Sequence, residues 1–120
     1  MNEFRVLVEV TTGDLDSLLE LLSETTDSID QHLPGTLVWD TFSDAASGRV
    51  LIYEVHRDES AADDYERHME SVGFKQRAFA LFTSMRVVIL SPVHGSIWSG
   101  IAALPSSDVL VPAVRLTDRE

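Results

Sequence analysis

One stretch limits the possible folds more than any other. Between Arg49 and Phe82 a run of strand-forming residues passes through a charged turn into an amphipathic helix. Val50-Leu51-Ile52-Tyr53-Glu54-Val55-His56 is rich in β-branched and aromatic residues and predicts a strand. Arg57-Asp58-Glu59 is the turn, and Ser60 stands at the expected N-cap with Asp63 three residues on, a capping-box type of pair. Ala61, Tyr65, His68, Met69 and Val72 then recur along one face of a 3.6-residue period. Glu54 and His56, two apart in a strand, point to one side of the sheet. His68 comes back on the inward face of the helix. Three groups able to bind or move protons are therefore expected to converge on one pocket.

The flanking sequence supplies the remaining elements. Phe4 to Val10 alternates Val6, Val8 and Val10 with Arg5, Leu7 and Glu9, a first strand. Thr12 or Asp14 can cap a helix carrying Leu15, Leu18, Leu19, Leu22 and Ile29, which Pro34-Gly35 stops. Thr36 to Phe42 is a second strand, joined by the loop Ser43 to Gly48 to the third. Past Gly73, the residues Phe74, Ala78, Leu81 and Phe82 predict a shorter helix, and Arg86 to Leu90 a fourth strand ended by Ser91-Pro92. In the tail, Ser96 to Leu104 is compatible with a short helix, Pro105 to Asp108 with a turn and Val109-Leu110-Val111 with an edge strand. The order is α+β, a ferredoxin-like βαββαβ antiparallel sheet with its helices on one face. Residues 1–93 form this unit, and 94–120 a C-terminal helix/strand extension packed on the same domain or on a dimer partner. Alternation puts apolar groups on both sheet faces, Leu7, Leu51, Tyr53 and Val55 opposite Val8, Ile52 and Glu54. A homodimer packed sheet to sheet would cover the face the helices leave open.

A chain of 120 residues is one domain with room for a real core. No apolar run approaches the length of a membrane span, and the start Met1-Asn2-Glu3-Phe4-Arg5 lacks the order of a signal peptide. A cytoplasmic setting is expected. The net charge of −11 repels phosphate backbones and anionic lipid surfaces, so neither nucleic acid nor membrane is an expected partner. The absence of cysteine excludes disulfides, thiolate metal sites and a cysteine nucleophile.

Pro34-Gly35 before the second strand, Tyr53-Glu54 in the third, and Ala62, His68, Ser71 and Phe74 beyond it resemble the antibiotic biosynthesis monooxygenase (ABM) domain. The resemblance covers roughly residues 4 to 93. It implies a dimeric α+β barrel and, for the characterised oxygenases of the family, oxidation of polycyclic phenols or quinols by O₂ without metal, haem or flavin. Isomerases of small molecules and haem-degrading enzymes share the superfamily. Where the family often has Trp two residues after the strand-three Glu, this chain has His56, and the Trp of the haem-degrading branch is missing. Haem is not implied. The expected function is a cofactor-independent monooxygenase of a small phenolic, quinol-type or polycyclic aromatic substrate. The alternatives are a non-catalytic barrel binding a small hydrophobic ligand, and a small-molecule isomerase.

Such chemistry needs a base near the substrate hydroxyl and the exclusion of water from the radical pair. His68 suits the role by type, and Glu54 can orient it or act as base itself. The two can equally be a buried hydrogen-bonded pair joining helix to sheet. Glu54, His56 and His68 also compose a two-histidine, one-carboxylate set, but the resemblance argues for no metal and no cofactor. Trp39, Tyr53, Phe74 and Phe79, with His56 and Tyr65, are the candidate substrate-lining residues, or plain core. His32 reads as a helix C-terminal charge partner and His94 as loop. Trp98 plugs either the pocket or a dimer seam. The acidic run Asp58, Glu59, Asp63, Asp64 and Glu66 reads as solvated surface.

Overall fold

Alternation along the first strand sorts the sheet into two faces, and the pairing carries that sorting across every neighbour. The computed structural model describes residues 3–90, 97–104 and 107–109. Strand β1 (Phe4–Thr12) is followed by helix α1 (Leu15–His32), strands β2 (Thr36–Asp44) and β3 (Arg49–His56), helices α2 (Glu59–Ser71) and α3 (Phe74–Phe79), and strand β4 (Phe82–Ile89). Helix α4 (Ile97–Ala102) and strand β5 (Ser107–Val109) complete the described chain. The sheet order is β2-β3-β1-β4-β5. The first four strands pair antiparallel, as expected of the ferredoxin-like unit. β5, the edge strand of the extension, adds to the β4 edge in parallel, so the five-stranded sheet is mixed.

Opposite β1 on β3, Val6 faces Glu54, Val8 faces Ile52 and Val10 faces Val50; on β4, Val6 faces Ile89 and Val8 faces Val87. Cross-strand partners share a face, and this one is roofed by the helices. Leu18, Leu22 and Ile29 of α1 and Tyr65 and Met69 of α2 pack on Val10, Val50 and Ile52. Phe4, Val6, Val87 and Ile89 form a second cluster with Ala62 and with Trp98 of α4, whose ring centroid lies 5.0 Å from that of Phe4. The described part of the extension thus packs on the sheet of its own chain. The opposite face carries Leu7, Leu51 and Tyr53 among Arg5, Glu9 and Arg86, and Phe42 and the bulge residue Leu37 are exposed on β2.

Local chemistry fixes the joints. Asp14 Oδ1 accepts from Ser17 N and caps α1. Asp58 rather than Ser60 caps α2: its backbone is extended and its Oδ1 accepts from Ala61 N at 2.8 Å. Helix α2 therefore starts at Glu59, and the Ser60–Asp63 box does not form. The next helix ends at Phe79, short of the expected Phe82, because Phe82 already pairs with Thr12 as the first residue of β4. Two glycines allow close approaches. Gly48 has φ +70°, and a Cβ there would fall 2.3 Å from the Thr12 carbonyl oxygen. At Gly35 a Cβ would meet that of Ala61 at 2.7 Å, so the start of β2 lies directly against α2. His94, Leu110 and Val111 lie outside the described residues. Among the described residues no helix is long and apolar enough to cross a membrane.

Candidate functional site

Between the roofed sheet face and helices α2, α3 and α4 lies a cavity of about 260 Å³. Its floor is Val6, Val8, Ile52 and Val87 from three adjacent strands, which alternation turns to the same side. Met69 of α2 and Phe74 and Phe79 of α3 form one wall; Trp98, Ile101 and Leu104 form another, with Phe82 and Met85 of β4. Besides the indole of Trp98, four residues with polar groups line this largely apolar space: Glu54, Tyr65, Glu66 and Lys75.

Glu54 is the centre of a buried hydrogen-bond network. It is 3 % exposed, mid-strand between Trp39 of β2 and Val6 of β1. His56 Nε2 lies 3.0 Å from Glu54 Oε1, and His56 Nδ1 lies 2.9 Å from Thr36 Oγ1. A carboxylate only accepts, so Nε2 carries the hydrogen and, in the neutral ring, Nδ1 accepts from the threonine hydroxyl. Tyr65 OH donates to Glu54 Oε2 at 3.2 Å and accepts from Trp39 Nε1 at 3.0 Å. The His56 and Tyr65 rings lie in tilted contact, centroids 4.8 Å apart. Trp39, Tyr65, Glu54, His56 and Thr36 thus form one continuous chain, in which each buried polar group has a partner. Burial, and after it the charge of Glu54, pushes the Tyr65 phenol well above its ordinary range. It therefore stays protonated and keeps its donor role.

Glu66 makes a second polar corner. It is 6 % exposed, and its Oε2 lies 2.5 Å from Nζ of Lys75, the residue after Phe74 at the start of α3. Burial raises the Glu66 carboxyl, and the Lys75 ammonium opposes that rise. The expectation of a solvated acidic face therefore fails at Glu66.

His68 does not pair with Glu54. Its Nε2 lies 2.8 Å from Ser28 Oγ of α1, and its ring lies in tilted contact with His32, centroids 5.3 Å apart. The reason is angular. At about 100° per residue, the buried face of α2 centres near Ala62 and Met69; Glu66 lies roughly 60° to one side and His68 roughly 100° to the other. The first flank turns to the cavity and the second to the α1 seam. Val72, expected on the inward face, is 48 % exposed. Glu54 and His56 bond to each other and His68 faces away, so the three do not assemble as a metal set. Among the described residues no three metal-binding side chains gather.

Of the candidate lining residues, Tyr65, Phe74 and Phe79 border the cavity with Glu54. Trp39 and His56 sit behind that layer and hold Tyr65 and Glu54. Tyr53, one residue from Glu54, points to the opposite sheet face, where its hydroxyl accepts from Arg5 Nη1 at 2.6 Å. Sequence reasoning missed Glu66 and Lys75. One signal was available, because Lys75 is the only lysine of the sequence.

No protein-family model and no curated protein matches the sequence. Solved structures do. MupZ from Pseudomonas fluorescens superposes with a TM-score of 0.69 at 12% identity, over 98% of this chain and 96% of its own. A candidate antibiotic biosynthesis monooxygenase from Nitrosomonas europaea gives 0.65 at 12% identity, over 78% of this chain and 93% of its own. An antibiotic biosynthesis monooxygenase structure gives 0.60 at 22% identity, over 76% and 99%. At these identities the likeness is one of architecture, and the chain is built on the fold of the antibiotic biosynthesis monooxygenases.

Proposed function

We propose that the protein is a cofactor-independent monooxygenase of a small phenolic, quinol-type or polycyclic aromatic substrate, working in the cytoplasm as a homodimer. The observation that carries this reading is a buried carboxylate, Glu54, opening into a largely apolar cavity walled by Tyr65, Phe74, Phe79 and Trp98. The fold shared with structures named as monooxygenases supports it.

In this reading the substrate lies flat among the rings with its hydroxyl at Glu54. Glu54 accepts the hydroxyl proton, oriented by His56 Nε2–H and Tyr65 O–H. The resulting oxyanion is electron-rich enough to pass one electron to O₂. Exclusion of water by Val6, Val8, Ile52 and Met69 lets the radical pair combine before it escapes. For a ring methylene oxidised to a carbonyl, one oxygen atom ends in the product and the other leaves as water, so no external reductant is needed. Leu7, Leu51 and Tyr53 on the open sheet face are the surface on which a second copy would pack.

The test is oxygen uptake by purified protein with a panel of hydroquinones and anthrones, followed by mass analysis of products formed under ¹⁸O₂. One labelled oxygen per product molecule is expected. Binding of the same compounds without oxygen uptake would contradict the oxygenase reading and leave a ligand-binding barrel.

A further inference from the structure

Lys75 is the only lysine among 120 residues that include 20 Asp and Glu, and its place is the cavity wall. Gly73, with φ +74°, turns the chain out of α2, so that Lys75 in the first turn of α3 comes back against the preceding helix. There it meets Glu66, a carboxylate whose burial is costly without a counter-charge. The Lys75 side chain keeps about one third of its surface exposed. An ammonium has three N–H donors, and its ion pair is to a single oxygen, Oε2 of Glu66. The groups that face this cavity with a charge or a titratable proton are Glu54 from β3, Tyr65 and Glu66 from α2, and Lys75 from α3. The described extension contributes Trp98, Ile101 and Leu104. Lys75 is therefore the single cation on the described lining, and it stands on the helix side while the Glu54 carboxylate stands on the sheet.

We propose that Lys75 is the oxyanion-binding group of this cavity, and that the ligand class is an acidic hydroxyl compound, a phenol or an enol, held as its oxyanion. The proposal rests on the reading of Glu54 as the base of the same cavity. The step balances: Glu54 takes the O–H proton and becomes neutral, the ligand oxygen keeps the electron pair, and the net charge of the cavity does not change. What changes is where the negative charge sits. It moves from a carboxylate hydrogen-bonded to His56 and Tyr65 onto the ligand, and a cation on the same cavity lining favours that transfer. An apolar cavity strengthens the attraction by lowering the local dielectric.

4-Nitrophenol tests this without turnover, because its anion absorbs in the visible and its neutral form does not. Bound to the wild type, the probe is expected to ionise at a lower pH than free in solution. Lys75→Met is expected to raise the apparent pKa of the bound probe by about one unit, a tenfold change in the anion-to-phenol ratio, and Lys75→Arg to retain the wild-type behaviour. Lys75→Gln, which keeps a polar donor beside Glu66, serves if the methionine variant does not fold. A second readout uses the uniqueness of the residue: reductive ¹³C-methylation gives one ε-amine signal, which the probe is expected to shift. Ionisation of bound probe in the Lys75 variants equal to wild type, or an unmoved signal on binding, overturns the assignment of Lys75 alone. Failure of the wild type to bind the probe at all overturns the cavity reading, and the proposal with it.

Discussion

Glu54 and Glu66 are both buried carboxylates on one cavity, yet their surroundings differ. Two donors, His56 and Tyr65, aim hydrogens at the first, while an ion pair at the cavity wall holds the second. For Glu66 the pH dependence of stability follows from its raised carboxyl. The folded chain holds that proton more tightly than the unfolded one, so the contribution is present below the unfolded value near 4.5 and is lost as pH climbs through the folded one. Glu66→Gln removes this dependence. In urea unfolding, the stability of the glutamine variant relative to wild type should therefore rise between pH 4 and pH 7; a fall over that range would contradict the placement. At this scale the sequence was half legible. Glu54 was readable because a carboxylate in the middle of an apolar strand must have partners. Its partners were not, because two-residue alternation places His56 beside it but gives no sign of which helical residue reaches down. Tyr65, which does reach it, and His68 are three positions apart on the same stripe of α2, and a periodicity read from apolar residues alone cannot tell one flank of the face from the other.

At the scale of elements, the βαββαβ order and its strand boundaries followed from alternation and turn chemistry, and the pairing β2-β3-β1-β4 is the ferredoxin-like consequence. The misreadings fall at joints. Asp58 caps α2 from a position that reads as turn, and β4 starts four residues before the expected Arg86, because Phe82-Thr83-Ser84-Met85 is ambiguous between helix and strand. The β2–β3 hairpin depends on one residue more than on any other. Gly48 holds a left-handed backbone, its carbonyl accepts from Thr12 N at 2.9 Å, and it has no room for a Cβ. Gly48→Ala is expected to cost about 1–2 kcal/mol from the backbone conformation alone, with the contact to the Thr12 carbonyl adding to it. Thermal unfolding should show a midpoint several degrees lower. An unchanged midpoint would contradict the described hairpin geometry.

Across the whole molecule, the sheet is roofed on one side by four helices among the described residues and carries apolar side chains on the other. Val55 and Val88 on that second face are buried within the chain, whereas Leu7, Leu51 and Tyr53 keep part of their surface. The proposed homodimer covers them. Sedimentation at micromolar concentration should give twice the chain mass, and Leu51→Glu, which puts a charge in the middle of that face, should give a folded monomer. A wild-type monomer would contradict the assembly. The extension was the least legible part of the chain: its short helix contains Gly100, and only its packing shows Trp98 against Phe4 and at the cavity wall.

The central claim is that the working carboxylate is Glu54, supported by His56 and Tyr65, and that His68 belongs to the α1–α2 seam. Side-by-side turnover of wild type, Glu54→Gln and His68→Ala on the best substrate of the oxygen-uptake panel tests it most directly. Glu54→Gln should lower kcat by about 10²–10⁴, the range for a lost acid–base group, while folded His68→Ala stays within a few-fold of wild type. A His68→Ala variant that folds and loses turnover, beside a Glu54→Gln variant that retains it, would contradict the account.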